Sequence, residues 1–161
     1  MKSTAGKVLI TGSSGMLGID LANELRRGYE LIGTDIFKSQ KSKVRGQRYF
    51  CCDITDRKKI TAIIEKTRPD VVVHTAAWTD VDGCELDKDK AYAVNSGGVR
   101  NVALACKAID AKLIYMSTDF VFDGRNKRPY RENDRANPLG VYADSKLKGE
   151  AAVKKALKRY F

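Results

Sequence analysis

The 161-residue chain is poor in the residues that mark several common architectures, with 3 Pro, 4 Cys, 1 His and 1 Trp. His74 is the single histidine and ends an apolar run, so it has no second histidine for a metal site and reads as structural. Cys51, Cys52, Cys84 and Cys106 lack metal-ligand spacing. The adjacent Cys51 and Cys52 suit neither an ordinary disulfide nor a C-x-x-C redox motif. The thiols therefore read as small buried residues in a reducing compartment. No apolar run approaches the ~20 residues that a membrane span needs. Met1 to Lys7 leads straight into a short apolar strand, without the hydrophobic region of a signal peptide. These absences point to a soluble, cytoplasmic chain with no membrane partner and no metal.

Positive charge is what the sequence has in excess, with 30 Lys+Arg against 20 Asp+Glu and a net charge of +10. Hydrophobic residues at 43% and charged residues at 31% fit one globular domain rather than a disordered chain. The excess is local: ten Lys/Arg against three Asp/Glu from Ile36 to Arg68, and six against one from Lys146 to Phe161. Neither stretch carries aromatic-interleaved RNA-binding patterning or zinc-finger spacing, so solvated helix faces are the reading, with no nucleic-acid partner.

Short β-branched runs alternate with helical periodicity. Strands are expected at Lys7–Thr11, Glu30–Asp35, Tyr49–Cys52, Val71–His74 and Lys112–Ser117. Leu17, Leu21 and Leu25 stripe a first helix, with Gly28 as its expected C-terminal cap. Asp53 to Asp56 offers caps for a helix carrying Ile60, Ile63 and Ile64, which Pro69 ends. One long helix is expected over Asp87–Ile109 and a last one over Leu139–Arg159, after a loop holding Pro129 and Pro138. Such alternation requires parallel pairing through right-handed crossovers. The fold class is α/β, a doubly wound, Rossmann-like parallel sheet in the order 3-2-1-4-5.

The first strand-to-helix junction reads Thr11-Gly-Ser-Ser-Gly-Met-Leu-Gly18, a G-x-x-G-x-x-G spacing. Missing Cβ atoms allow a tight turn and close approach of a pyrophosphate, and the helix N-terminus adds partial positive charge. Asp35 ends the second strand, where a carboxylate can accept both ribose hydroxyls of an adenosine and favours NAD(H). The basic loop that follows (Lys38, Lys41, Lys43, Arg45) pulls towards NADP(H). Phosphate binding without a dinucleotide, and a plain turn role for Asp35, stay open at this level.

Tyr142-Ala-Asp-Ser-Lys146 opens the last expected helix. Residues four apart share a helix face. A cation ~5 Å from a phenol, at an effective dielectric of ~20, is worth about 3 kcal/mol, or roughly two pKa units. That brings tyrosine into the range of acid–base chemistry. Ser117-Thr-Asp119 follows the fifth strand, at the sheet edge where ligands of parallel sheets bind.

The glycine loop, His74-Thr-Ala-Ala-Trp-Thr-Asp-Val-Asp82, Ala93-Val-Asn95, Met116-Ser-Thr-Asp-Phe-Val-Phe-Asp-Gly124 and Pro138-Leu-Gly-Val-Tyr-Ala-Asp-Ser-Lys146 together resemble the extended short-chain dehydrogenase/reductase family. Within it, they resemble the dTDP-4-dehydrorhamnose reductase branch. The resemblance implies reduction of a 4-keto nucleotide sugar with NADPH or NADH, and Thr118, Tyr142 and Lys146 as the catalytic trio. Thr118 would hold the C4 carbonyl, with Asp119 and Phe120 beside it on the substrate, and Tyr142 would protonate the oxygen. Lys146 would hold the nicotinamide ribose and tune the phenol, so Tyr142 and Lys146 also count as cofactor contacts. Gly12, Ser14, Gly15, Met16 and Leu17 would surround the pyrophosphate, Asp35 and Ile36 the ribose, and Asp53 and Ile54 the adenine. Thr75, Ala76 and Ala77 would line the cleft. Of Ser117-Thr118, only Thr118 matches the sugar-reductase hydroxyl position.

Members of that family are substantially longer, so the resemblance makes residues 1–161 an NAD(P)-binding Rossmann domain lacking a C-terminal substrate lobe. Strand five would then be a bare sheet edge. The resemblance also implies a homodimer paired through the long helices. A regulatory, non-catalytic module like the regulatory subunit of methionine adenosyltransferase, and 4-epimerase chemistry, are the alternatives it carries.

Overall fold

The structure is a computed structural model describing residues 6–37 and 46–161, so Met1–Ala5 and the basic loop residues Lys38, Lys41, Lys43 and Arg45 lie outside the described residues. Five strands, β1 (Lys7–Thr11), β2 (Glu30–Asp35), β3 (Arg48–Cys51), β4 (Val71–His74) and β5 (Lys112–Tyr115), form one sheet in the order β3-β2-β1-β4-β5. Every pair is parallel, with Ile10 opposite Gly33 on one side and Val73 on the other. Parallel strands end on a common edge, so Thr11, Asp35, Cys51, His74 and Tyr115 are gathered there.

Alternation along the strands divides the core. Leu9, Ile32, Val72 and Leu113 face α2 (Arg57–Thr67), α5 (Val99–Ile109) and α6 (Val141–Ala156), packing with Ile60, Ile64, Val99, Val102 and Val153. Val8, Ile10, Leu31 and Val73 face the other way, against Ala22, Leu21 and Leu25 of α1 (Met16–Leu25). Among the described residues no helix is long and apolar enough to cross a membrane.

Several boundaries differ from expectation. The α1 helix is capped at Arg26 in ordinary helical conformation, not at Gly28. Gly28 and Tyr29 amides both donate to Leu25 O, a closure that needs no left-handed residue. At α2 the expectation holds: the Asp56 carboxylate accepts the Lys59 amide at 3.0 Å, and left-handed Arg68 precedes Pro69.

The helix expected over Asp87–Ile109 runs without a break from Lys88 to Ile109, and a short helix that the periodicity did not show precedes it. Asp80 caps a short α3 (Val81–Leu86), and Asp87 closes α3 and caps α4 (Lys88–Tyr92) by accepting the Lys90 amide. A π-helical turn, Ala93–Gly98, then leads into α5. Asp80 and Asp87 cap the two helix starts, and no side-chain cap interrupts the run after Asp87.

Strand β5 ends at Tyr115 rather than Ser117, and β3 is shifted by one residue. Finally, α6 ends at Ala156, and the chain runs extended beside β5. Phe161 N donates to Leu113 O at 2.9 Å and Tyr115 N to Phe161 O at 2.8 Å, with a parallel bridge between Leu113 and Tyr160. The edge of β5 is therefore not bare, because its amides and carbonyls have recruited residues 159–161.

Candidate active site

The chain passes from β1 to α1 with the loop pressed against backbone. Gly12 has φ +67°, and a Cβ there would lie 2.7 Å from Ala76 N. A Cβ on Gly18 would strike Gly12 O and lie 2.8 Å from Ser13 Cα. Glycine is thus required for the loop to meet the segment after β4, and for α1 to meet the loop. Ser13 N donates to Thr34 O, Ser14 N to Asp35 Oδ2 at 2.9 Å, and Gly15 N to Gly12 O. With these amides engaged, α1 opens on the amides of Met16, Leu17 and Gly18 without a side-chain cap. That end favours an anion. The Met16 and Leu17 side chains are exposed, so these two residues contribute backbone.

The structure gathers Gly12, Gly15, Asp35, Ile36, Asp53, Ile54, Thr75, Ala76 and Ala77 around one cleft of about 390 Å³. Ser14 reaches it through its amide on Asp35. Each Asp35 oxygen accepts one backbone amide, from Ser14 and Ile36, which leaves lone pairs for two hydroxyls. The Thr75 hydroxyl donates to Thr11 O at 2.6 Å and holds the wall.

Sequence reasoning missed Thr34, Phe37, Cys52, Trp78, Lys90 and Val94, which line the same cleft. Trp78 directly follows the Thr75–Ala77 run. Lys90, whose Nζ lies 4.1 Å from the Trp78 ring centroid, sits on α4, within the helix expected over Asp87–Ile109. Asn95 was missed too. Its Oδ1 accepts Trp78 N, while Nδ2 donates to Trp78 O and to Ser145 Oγ, tying the cleft wall to α6.

Tyr142 is the second residue of α6 and lines another cleft, of about 510 Å³, with Val81, Asp119, Phe120, Phe122, Tyr130 and Leu139. Its ring meets Phe120 edge-on, with centroids 6.2 Å apart. One turn along, Lys146 is 3% exposed; its Nζ donates to Met116 O and lies 4.4 Å from the Tyr115 ring centroid. Burial pushes the Lys146 ammonium down to about 8, and the Glu150 carboxylate pulls the other way.

Thr118 caps a 3-10 turn (Asp119–Val121) by accepting Phe120 N and donates to Asp119 Oδ1. It lines a separate groove of about 610 Å³ with Ser117, Glu132, Asp134 and Glu150. Asp119 borders both grooves, so Thr118 and Tyr142 flank it without sharing a pocket. The Ser117 hydroxyl is engaged elsewhere, donating to Glu150 Oε1 at 2.6 Å.

His74 is buried, bonded through Nδ1 to Thr11 Oγ1 at 2.7 Å, and stacked on Tyr115. Burial, with the Lys146 charge adding to it, pushes the imidazole down to about 3. Cys52, Cys84 and Cys106 are buried and Cys51 half-buried, all as free thiols. Burial raises the thiols of Cys52 to about 11 and Cys106 to about 12.

A family model described as RmlD substrate binding domain matches residues 6–161. The chain belongs to this family. Among its relatives, the dTDP-4-dehydrorhamnose reductase of Mycobacterium tuberculosis is 41% identical over 157 residues, covering 95% of this chain and 47% of the relative. A crystal structure of dTDP-4-dehydrorhamnose reductase from Bacillus anthracis in complex with NADP superposes with a TM-score of 0.86 at 34% identity, covering 100% of this chain and 53% of that one. The Bordetella bronchiseptica enzyme WbmG in complex with NAD gives a TM-score of 0.84 at 26% identity, covering 96% of this chain and 51% of that one. This RmlD-family chain spans about half the length of the curated relatives it matches.

Proposed function

We propose that residues 1–161 are the dinucleotide-binding half of a cytoplasmic NAD(P)H-dependent reductase acting on a 4-keto nucleotide sugar, of the dTDP-4-dehydrorhamnose reductase kind. The observation that carries this reading is the cleft that joins the glycine loop, the Asp35 carboxylate and the Asp53–Ile54 and Thr75–Ala77 walls, tied through Asn95 and Ser145 to the helix of Tyr142 and Lys146. The relatives and solved neighbours with NADP or NAD support it.

The residues present fit a dinucleotide. A backbone cradle that a Cβ at Gly12 would fill can take the pyrophosphate, and spare lone pairs on Asp35 the adenosine ribose. Either NADH or NADPH is proposed, with Asp35 favouring NADH because its charge repels a 2′-phosphate. Bound nicotinamide would supply the hydride.

The remaining chemistry belongs to the chain. Thr118 orients the sugar carbonyl, with Asp119 and Phe120 beside it, and Tyr142 Oη delivers the proton. Lys146, still largely protonated at neutral pH, orients the ribose and favours phenolate when the proton leaves. A homodimer through α5 and α6 belongs to the same proposal.

The test is NADH or NADPH oxidation with dTDP-4-dehydrorhamnose, by this chain fused to the half of the M. tuberculosis relative that it does not span. Turnover that falls by about 10²–10⁴ in Tyr142→Phe supports the reading. Cofactor binding without turnover would place the chain among non-catalytic binding modules.

A further inference from the structure

Lys146 presents an electrostatic problem that its immediate neighbours leave unsolved. Its ammonium is 3% exposed, donates to the Met116 carbonyl and faces the Tyr115 ring, none of which carries charge. Among the described residues no carboxylate pairs with it within 4.0 Å. An ammonium buried without a counter-charge loses its proton or leaves its seat.

The titratable groups around it are few. Tyr142 lies on its own helix, Tyr115 on β5 and His74 on β4, and burial holds the Tyr115 phenol protonated and the His74 ring neutral near pH 7. His74 Nε2 is buried with no partner among the described residues, and burial holds that ring neutral. Asp119, in the turn after β5, is exposed and bonded to Thr118. Glu150 is different: it sits four residues after Lys146 on α6, with a side chain 22% exposed. Its Oε1 accepts the Ser117 hydroxyl at 2.6 Å, and its Oε2 meets Lys154 Nζ at 3.5 Å. A hydroxyl from the strand-end segment thus fixes a carboxylate one helical turn along α6 from the buried cation.

We propose that Ser117 and Glu150 form a charge-holding pair for Lys146, with Glu150 keeping the buried ammonium protonated and Ser117 positioning that carboxylate. This gives the two neighbouring hydroxyls separate tasks: Ser117 serves the lysine, and Thr118 remains for the substrate carbonyl. Lys154 opposes the pair by neutralising Glu150. The inference rests on the proposed role of Lys146 in the site, but its test needs neither cofactor nor substrate.

The Lys146 amine is titrated by NMR in protein labelled with ¹³C-lysine, with the resonance assigned by its loss in Lys146→Arg. Glu150→Gln is expected to lower the midpoint by about half a unit or more, roughly a threefold or greater loss of proton affinity. Ser117→Ala shifts it the same way by less, and Lys154→Gln shifts it upward. Thermal melts check that each variant is folded. Midpoints that stay in place in folded Glu150→Gln or Ser117→Ala overturn the proposal. Should Glu150→Gln not fold, the opposite shifts of Ser117→Ala and Lys154→Gln decide it, and shifts that are absent or share a sign overturn it. A chain that titrates as expected but never reduces a keto sugar leaves this pair standing, and unmoved midpoints leave the dinucleotide cleft standing.

Discussion

On the β1–β3 side of the sheet edge, the cleft is walled by backbone and short side chains: Gly12 against Ala76, Ser14 N on Asp35, and Thr75 on Thr11. On the β5–α6 side, the side chains proposed for the chemistry are set at different depths. Lys146 lies buried under Tyr115, Tyr142 opens on an aromatic cleft, and Thr118 borders an acidic groove. The first side gets its geometry from close approach, which tolerates no added atom. The second gets it from charges and hydroxyls, so protonation alters it.

His74 sits at the seam between them and sets the largest expected effect. Its ordinary value is near 6.5, and burial lowers it to about 3, so the unfolded chain binds the proton more readily. Stability present above pH 6.5 is therefore lost as pH falls through that window, by up to about 5 kcal/mol at about 1.4 kcal/mol per unit. Urea unfolding between pH 7 and pH 3 measures it, and an equal slope in His74→Gln would assign the loss to other groups.

Gly18→Val comes next and tests the close-approach side, at more than about 3 kcal/mol because Cβ meets backbone that cannot yield. A melting point near that of the unsubstituted chain would show the loop to be looser than the geometry requires.

Lys146→Met tests the charged side with the opposite sign. Removing a buried ammonium that lacks a direct ion pair is expected to stabilise the fold by about 1–3 kcal/mol at pH 7. The unsubstituted chain should also gain stability as pH rises from about 8 towards the ordinary lysine value, because the unfolded chain holds that proton longer. Denaturant titrations of both proteins at pH 7 and pH 9 check the two signs. Smallest is Asp35→Asn, for which NADH affinity drops by about tenfold, or about 1.4 kcal/mol, while NADPH affinity rises relative to it. Fluorescence titration with each nucleotide reads the ratio.

The same contrast explains what the sequence made legible. Strand order and the glycine cleft follow from local spacing: β-branched runs between helices, glycines at a strand-to-helix junction, and an acid at the end of β2. The second side depends on partners far apart in the chain. Ser117 and Glu150 are 33 residues apart, and Asn95 and Ser145 are 50 apart. No periodicity announces such pairs. The periodicity over Asp87–Ile109 placed the helix but gave no sign that Lys90 lies over the Trp78 ring. Nor did the Tyr142-x-x-x-Lys146 spacing reveal that one partner faces a cleft while the other is buried.

The central claim is that this chain carries a dinucleotide cleft, and Trp78, the only tryptophan in the sequence, lines it as a built-in reporter. The most direct test is quenching of Trp78 fluorescence by NADH and NADPH in the 161-residue chain. Saturable quenching, retained in Tyr142→Phe and weakened for NADH in Asp35→Asn, is the predicted result. A folded chain whose Trp78 emission does not respond to either nucleotide would contradict it.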